Sequence, residues 1–341
     1  MRIRHVLLST LGAVLAAGAM ACLNSAAQAQ ADKVFVMKLT TATINDTQHE
    51  WFKRFAALVE KDSGGRIKPE IYPASQLGSI PRQIEGVQFG SIQAWMGPPE
   101  FLVGVDERFE AMSAPGLFSS VDQVMKVAQD PAIQKAFYAQ GEAKGLTGFG
   151  FAPIGPSSIL TKKQVTKLAD LAGMKIRVLA SPFQLELIRR MGGSPIAMTL
   201  ADVLPGLQQG TIDGTLTTMT IYTTMHYYDV GKFVIQTDQP YVNSIGVVSK
   251  KWMDTLPPDL QKVVRDSGAK VTAEITPYVK EFFAEQEKIY VSKGGTISQL
   301  PKAEHDAMIA KVSSIGDDLS KSKPGLNQTV KALFEVAARS K

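Results

Sequence analysis

The 341-residue sequence has one cysteine, Cys22, so a disulfide within the chain is excluded. It has only four histidines, His5, His49, His226 and His305, and none of them stands at metal-ligand spacing. G-x-S-x-G, the Walker A loop and H-E-x-x-H are all missing, which removes the usual sequence signs of acyl transfer, nucleotide hydrolysis and zinc proteolysis. Gly148 to Pro153 matches a nucleotide-binding glycine pattern only in part, with proline where the last glycine belongs. No catalytic residue, metal or cofactor is expected, although two acids distant in sequence can still meet in a fold. Basic residues are mixed with acids rather than clustered with aromatics, so the net charge of +5 does not point to nucleic acid. Beyond the first residues there is no apolar run of membrane-crossing length, no repeat and no long linker.

What is there begins with a targeting segment, residues 1–29. Arg2 and Arg4 precede an apolar run from Val6 to about Ala21, and small residues follow up to Ala27-Gln28-Ala29. These are the charged, apolar and A-x-A parts of an export signal, so cleavage after Ala29 and a bacterial periplasmic destination are expected. The alternative is lipidation at Cys22, but Ala19-Met20-Ala21 lacks the leucine-like residue usual before a lipid-bearing cysteine. Losing Arg2 and Arg4 takes the net charge from +5 to +3 and leaves no cysteine.

The remainder alternates between period 2 and period 3.6. Val34–Thr41 reads as a strand, and a polar turn over residues 43–47 leads into a helix with Trp51, Phe52, Phe55, Leu58 and Val59 on one face. Ser63-Gly64-Gly65 stops that helix and Arg66–Tyr72 returns as a strand, completing a βαβ unit with parallel strands. A helix over Pro81–Phe89 and a strand over Ile92–Met96 follow. Trp95 thus stands at a strand's carboxyl end, either facing a ligand or buried as an ordinary core tryptophan. Helices are expected over Val121–Ala128 and Ala132–Lys144, a strand from Gly148, and a helix carrying Tyr222, His226, Tyr227 and Tyr228. Phe233–Gln236 and Asn243–Ser249 read as two later strands. Leu260 to about Ser292 reads as one long amphipathic helix kinked at Thr276-Pro277.

The stretch from Leu168 to Gly214 organises the rest. Its first strand places Met174, Ile176 and Val178 on one face and Arg177 on the other. Ser181 is the N-cap of the next helix, with Pro182 at its first position and Gln184 as capping-box partner. Gly192-Gly193 ends that helix. A second strand then leads to Thr199 as cap, with Asp202 as its partner, and Gly210 as stop. Open α/β sheets bind ligands beyond the carboxyl ends of their strands. A guanidinium beside free helix N–H groups suits a carboxylate. A strand arginine also commonly just meets water, so the pattern leaves both roles open for Arg177.

Ile71-Tyr72-Pro73-Ala74-Ser75-Gln76-Leu77-Gly78, Leu171 to Val178, Leu207 to Gly214 and Tyr228-Asp229-Val230-Gly231-Lys232 carry a resemblance over essentially the whole chain after residue 29. In order and spacing they are similar to the signatures of DctP-type solute-binding proteins of tripartite ATP-independent periplasmic (TRAP) transporters. The resemblance implies a two-lobed α/β periplasmic-binding-protein fold, type II-like, with a long lobe-spanning helix and a helical C-terminus. Lobe I would comprise 32–154 plus about 243–282, lobe II 155–242 plus about 283–310, and a helical segment 311–341 would follow. It also implies capture of an organic acid by lobe closure, delivery to a TRAP membrane permease, no catalysis, and a monomer or homodimer. A sensor subunit presenting ligand to a signalling receptor, or a periplasmic enzyme, are the alternatives.

The arginine that pairs with substrate carboxylates in that family falls on Arg177. Members that bind sialic acid have a second arginine where this chain has Ser157, a phenylalanine at Leu200, and an asparagine at Thr217. The missing second cation argues for a monocarboxylate whose remainder is apolar or hydroxylated, either an aromatic or a 2-oxo or 2-hydroxy acid. Trp95, Phe118 and Phe183 are expected to pack against it, and Ser157, Thr217 and Asn243 to offer hydrogen bonds.

Overall fold

The computed structural model describes residues 33–340, so the export signal and Cys22 lie outside the described residues. The chain forms one mixed sheet whose two ends are each built from parallel units. β1 (Phe35–Thr40) pairs in parallel with β2 (Ile67–Tyr72) and β3 (Ala94–Gly97). At the other end β5 (Lys175–Val178) pairs in parallel with β6 (Ser194–Ala197) and β7 (Gly214–Thr218). Between them run two long antiparallel strands, β4 (Leu146–Thr161) and β8 (Phe233–Ser249). The order is β2-β1-β3-β8-β4-β7-β5-β6, with β9 (Thr296–Gln299) added to the start of β8.

The long strands make the fold two-lobed. At roughly 3.3 Å per residue, each reaches about 50 Å, more than one lobe needs. The end of β8 pairs with β3, while its beginning, Phe233–Gln236, pairs with β9 and the end of β4. The two strands expected at Phe233–Gln236 and Asn243–Ser249 are therefore one strand that crosses between lobes. Register shifts at Pro153/Gly155 and Pro156/Ser158 bend the crossing. Gly155 there has φ +142°, a backbone conformation open to glycine.

Helices coat both ends. Asp46 caps α1 (Thr47–Asp62) by accepting from the His49 N–H at 3.0 Å, and Trp51, Phe52, Phe55 and Val59 bury the expected face. α2 (Ile80–Phe89) ends at Gly90 in the left-handed region, as the sequence indicates. α3 (Val121–Ala128) matches its expected bounds, whereas the next helix, α4 (Pro131–Tyr138), stops short of Lys144 because Gly141 and Gly145 turn the chain. α5 (Pro182–Arg190), α6 (Val203–Gln209) and α7 (Met219–Thr224) cover the second lobe. α7 ends before the tyrosine run, since His226 takes a positive φ and starts a separate turn.

A short α8 (Lys250–Met253) precedes α9 (Pro258–Glu274) and α10 (Thr276–Ser292), which follow one another across Ile275. This is the expected long helix, interrupted where Pro277 removes a donor. α9 packs Val264 and Val271 with Trp51 and Phe52 in one core. α10 reaches the other lobe, where Gln286 bonds the Thr223 hydroxyl at 2.6 Å and Tyr290 donates to the Gly231 carbonyl at 3.1 Å. α11 (Lys302–Val312), α12 (Ile315–Ser320) and α13 (Pro324–Arg339) form the helical C-terminus, with Leu326, Val330 and Leu333 in the main core.

Candidate ligand-binding site

Arg177 stands in β5, one residue before the strand ends, and is 1% exposed. Ser181 caps α5 as expected, accepting from the Gln184 N–H at 3.0 Å. The Gln184 side chain does not close a capping box; its Oε1 accepts the Leu179 N–H at 3.1 Å and so fixes the bend between strand and helix. At the next junction the Thr199 hydroxyl donates to the Asp202 carboxylate at 2.6 Å instead of capping the backbone.

Arg177 Nε donates to the Met198 carbonyl at 3.0 Å, while Nη2 is buried without a partner. Burial lowers the guanidinium to about 10, against the opposing pull of Tyr227, Tyr222 and Glu100, so it remains charged at neutral pH. Leaving a charged donor dry and unbonded is unfavourable unless something supplies an acceptor. Arg177 lines a cavity between the lobes. Trp95, Met96 and Phe101 line it from one side, and Leu179, Leu200 and Thr217 from the other. The indole Nε1 of Trp95 is likewise buried and unpartnered.

Of the residues named from sequence, this cavity brings together Arg177, Trp95, Leu200 and Thr217. Phe118, Ser157, Phe183 and Asn243 lie outside its lining. Phe118 packs edge-on to Tyr241, with ring centroids 6.4 Å apart. The Phe183 ring is wholly buried in the core, and its N–H donates to Glu110 at 2.7 Å. Val242 lines the cavity, so alternation turns its neighbour Asn243 to the opposite face, where Nδ2 donates to the Tyr241 carbonyl at 3.1 Å. Ser158, not Ser157, is the cross-strand partner of Thr217, and one residue of register decides which face a side chain takes.

Thr43 and Gln48 also line the cavity, linked by a 3.1 Å hydrogen bond. In the sequence they stand in a polar turn and a helix start, with no motif that marks a role. Their position beyond the carboxyl end of β1 is the signal that pointed there. Among the described residues no group of three or more histidines, cysteines or acids could hold a metal ion.

A two-lobed α/β fold with a buried, under-bonded arginine in the cavity between its lobes defines a ligand-capturing binding protein. Residues 40–322 match the model of the bacterial extracellular solute-binding protein family 7, DctP. The chain belongs to this family, the DctP-type solute-binding proteins of TRAP transporters. It is 30% identical to the C4-dicarboxylate-binding periplasmic protein DctP of Rhodobacter capsulatus over 239 residues, 68% of this chain and 69% of that protein. It is 28% identical to the 2,3-diketo-L-gulonate-binding periplasmic protein YiaO of Escherichia coli over 246 residues, 72% of this chain and 74% of that protein. A TRAP periplasmic solute-binding protein from Desulfovibrio salexigens, solved with orotic acid, superposes with a TM-score of 0.85 at 22% identity, covering 90% of this chain and all of that one.

Proposed function

We propose that this protein captures an organic acid anion, a monocarboxylate with an apolar or hydroxylated body, and hands it to a TRAP membrane permease. The observation that carries this reading is the buried Nη2 of Arg177, without a protein partner, in the cavity between the lobes. A carboxylate there would accept two parallel hydrogen bonds from the guanidinium. Among the described residues Arg177 is the single basic residue in the lining, and most of its neighbours are apolar. A second carboxylate would therefore lie among Ile154, Ile221 and Val242 without a cation to balance it. The named relatives bind acids, a C4-dicarboxylate and 2,3-diketo-L-gulonate, which supports the class.

Trp95 packs against the ligand body, and Thr217, Thr43 and Gln48 hydrogen-bond it. The lobes comprise 32–154 with about 243–282, and 155–242 with about 283–310. A ligand that touches both favours the closed form through contacts the open form lacks. No chemistry is performed on the ligand.

A thermal-shift screen of carboxylic acids tests this. An acid at a hundred times its Kd should add about 2.7 kcal/mol of native stability. Monocarboxylates should raise the melting temperature, dicarboxylates of equal length less so, and the acid should be recovered unchanged. Equal shifts with Arg177→Ala would overturn the assignment.

A further inference from the structure

The binding reading leaves two buried acids unused. Glu100 and Glu110 come from the segment after β3, and each is 2% exposed. They face the start of α5 from the other lobe. Glu110 Oε1 accepts the Ser181 hydroxyl at 2.6 Å and the Phe183 N–H at 2.7 Å. Glu100 Oε1 accepts the Ser113 hydroxyl and, at 3.3 Å, the Gln184 amide. The second oxygen of each carboxyl is buried without a partner. Neither acid lines the cavity, but Gln184 ties this cluster to the Leu179 N–H, two residues beyond Arg177.

We propose that Glu110, with Glu100 beside it, is a positioning residue for Arg177: a proton-holding clasp that fixes the start of α5 across the two lobes. The proposal rests on the reading that Arg177 works in a cavity between lobes. Two carboxylates in a dry site repel one another, and keeping one protonated relieves that repulsion. Burial, and to a smaller degree the charge of Glu100, push the Glu110 carboxyl up to about 7 against the Ser181 and Phe183 hydrogen bonds and the charge of Lys323. Burial also raises Glu100, opposed in part by the Ser113 hydrogen bond and by Arg177. The other nearby charges are engaged elsewhere. Lys323 pairs with Glu107 at 3.3 Å, Arg108 with Asp106, and Glu186 of α5 with Arg190 at 2.9 Å.

The sign follows from linkage. An opened clasp wets Glu110, whose carboxyl then returns to the ordinary range near about 4.3. Between that value and about 7, opening releases a proton and becomes easier as pH rises, by up to about tenfold per unit. Above it the dependence levels off.

Amide hydrogen exchange on the full, ligand-free chain tests this at pH 5 to 8, corrected for intrinsic rates. In the unmodified protein, protection of the Phe183 and Leu179 amides should fall steeply from pH 5 to 7 relative to core amides, then level. In Glu110→Gln, which keeps a carbonyl for Ser181 and Phe183 but holds no titrating proton, the profile should be flat. A flat profile in the unmodified protein, or an unchanged slope in Glu110→Gln, would overturn the clasp. No ligand enters the measurement, so its outcome is separate from that of the acid screen.

Discussion

Arg177 reaches across to the main-chain oxygen of Met198, 3.0 Å from its Nε, and this bond aims a guanidinium whose Nη2 is buried without a partner. The acceptor comes from the residue directly after β6, so two neighbouring parallel strands fix the cation together. A folded protein keeps such a group dry when function, rather than stability, selects it.

Ligand affinity and native stability should therefore respond to Arg177 in opposite ways. Arg177→Met should weaken carboxylate binding by about 2–5 kcal/mol, the scale for losing one partner of a buried charge pair. In urea without ligand the same variant should be as stable as the unmodified chain or more so, because a dry charge is replaced by an apolar side chain. Calorimetry and urea titration read the two effects; a large stability loss with binding retained would reverse the assignment.

Trp95 should report ligand entry. The chain has three tryptophans, and Trp51 is sealed in a core against Phe55 at 5.2 Å while Trp252 lies in the same core. Trp95 alone of the three lines the cavity. A binding acid should change the intrinsic fluorescence, and Trp95→Phe should abolish most of that change while leaving a folded protein. An undiminished signal in Trp95→Phe would move the site elsewhere.

Gly155 should act as a joint in the crossing strands. Its φ of +142° is one an L side chain rarely adopts, and an added Cβ would meet the Phe283 ring of α10 at 2.9 Å. Gly155→Ala should cost about 1–3 kcal/mol of stability. It should also alter the distance between lobes measured by small-angle scattering with and without a bound acid. Wild-type stability would show that the joint tolerates a side chain.

Gly268 marks where α9 lies on the first lobe. A Cβ there would drive into the main-chain oxygen of Phe149 in β4, a backbone atom that cannot rotate away as a side chain can. Gly268→Ala should destabilise the chain by about 1–3 kcal/mol through overpacking, seen as a lowered urea midpoint. Little change would mean that helix and strand separate easily.

Much of this architecture was legible because it is local. Ser181 caps its helix, Gly90 and Gly210 stop theirs, and Pro277 breaks the long helix. Each outcome depends on neighbours a few residues apart. The joining of Phe233–Gln236 to Asn243–Ser249 was not legible, because Tyr241 and Val242 between them pair with Pro156 and Gly155 of β4, residues far away in sequence.

The amino-acid order alone placed Arg177 at the end of a strand before a capped helix, since periodicity and capping are short-range hydrogen-bond and packing effects. Only the folded chain decided that Ser158 rather than Ser157 lies opposite Thr217, and that Glu100 and Glu110 meet the start of α5. Those outcomes are set by strand register and by contacts between segments some 70 to 85 residues apart, and no local pattern encodes either.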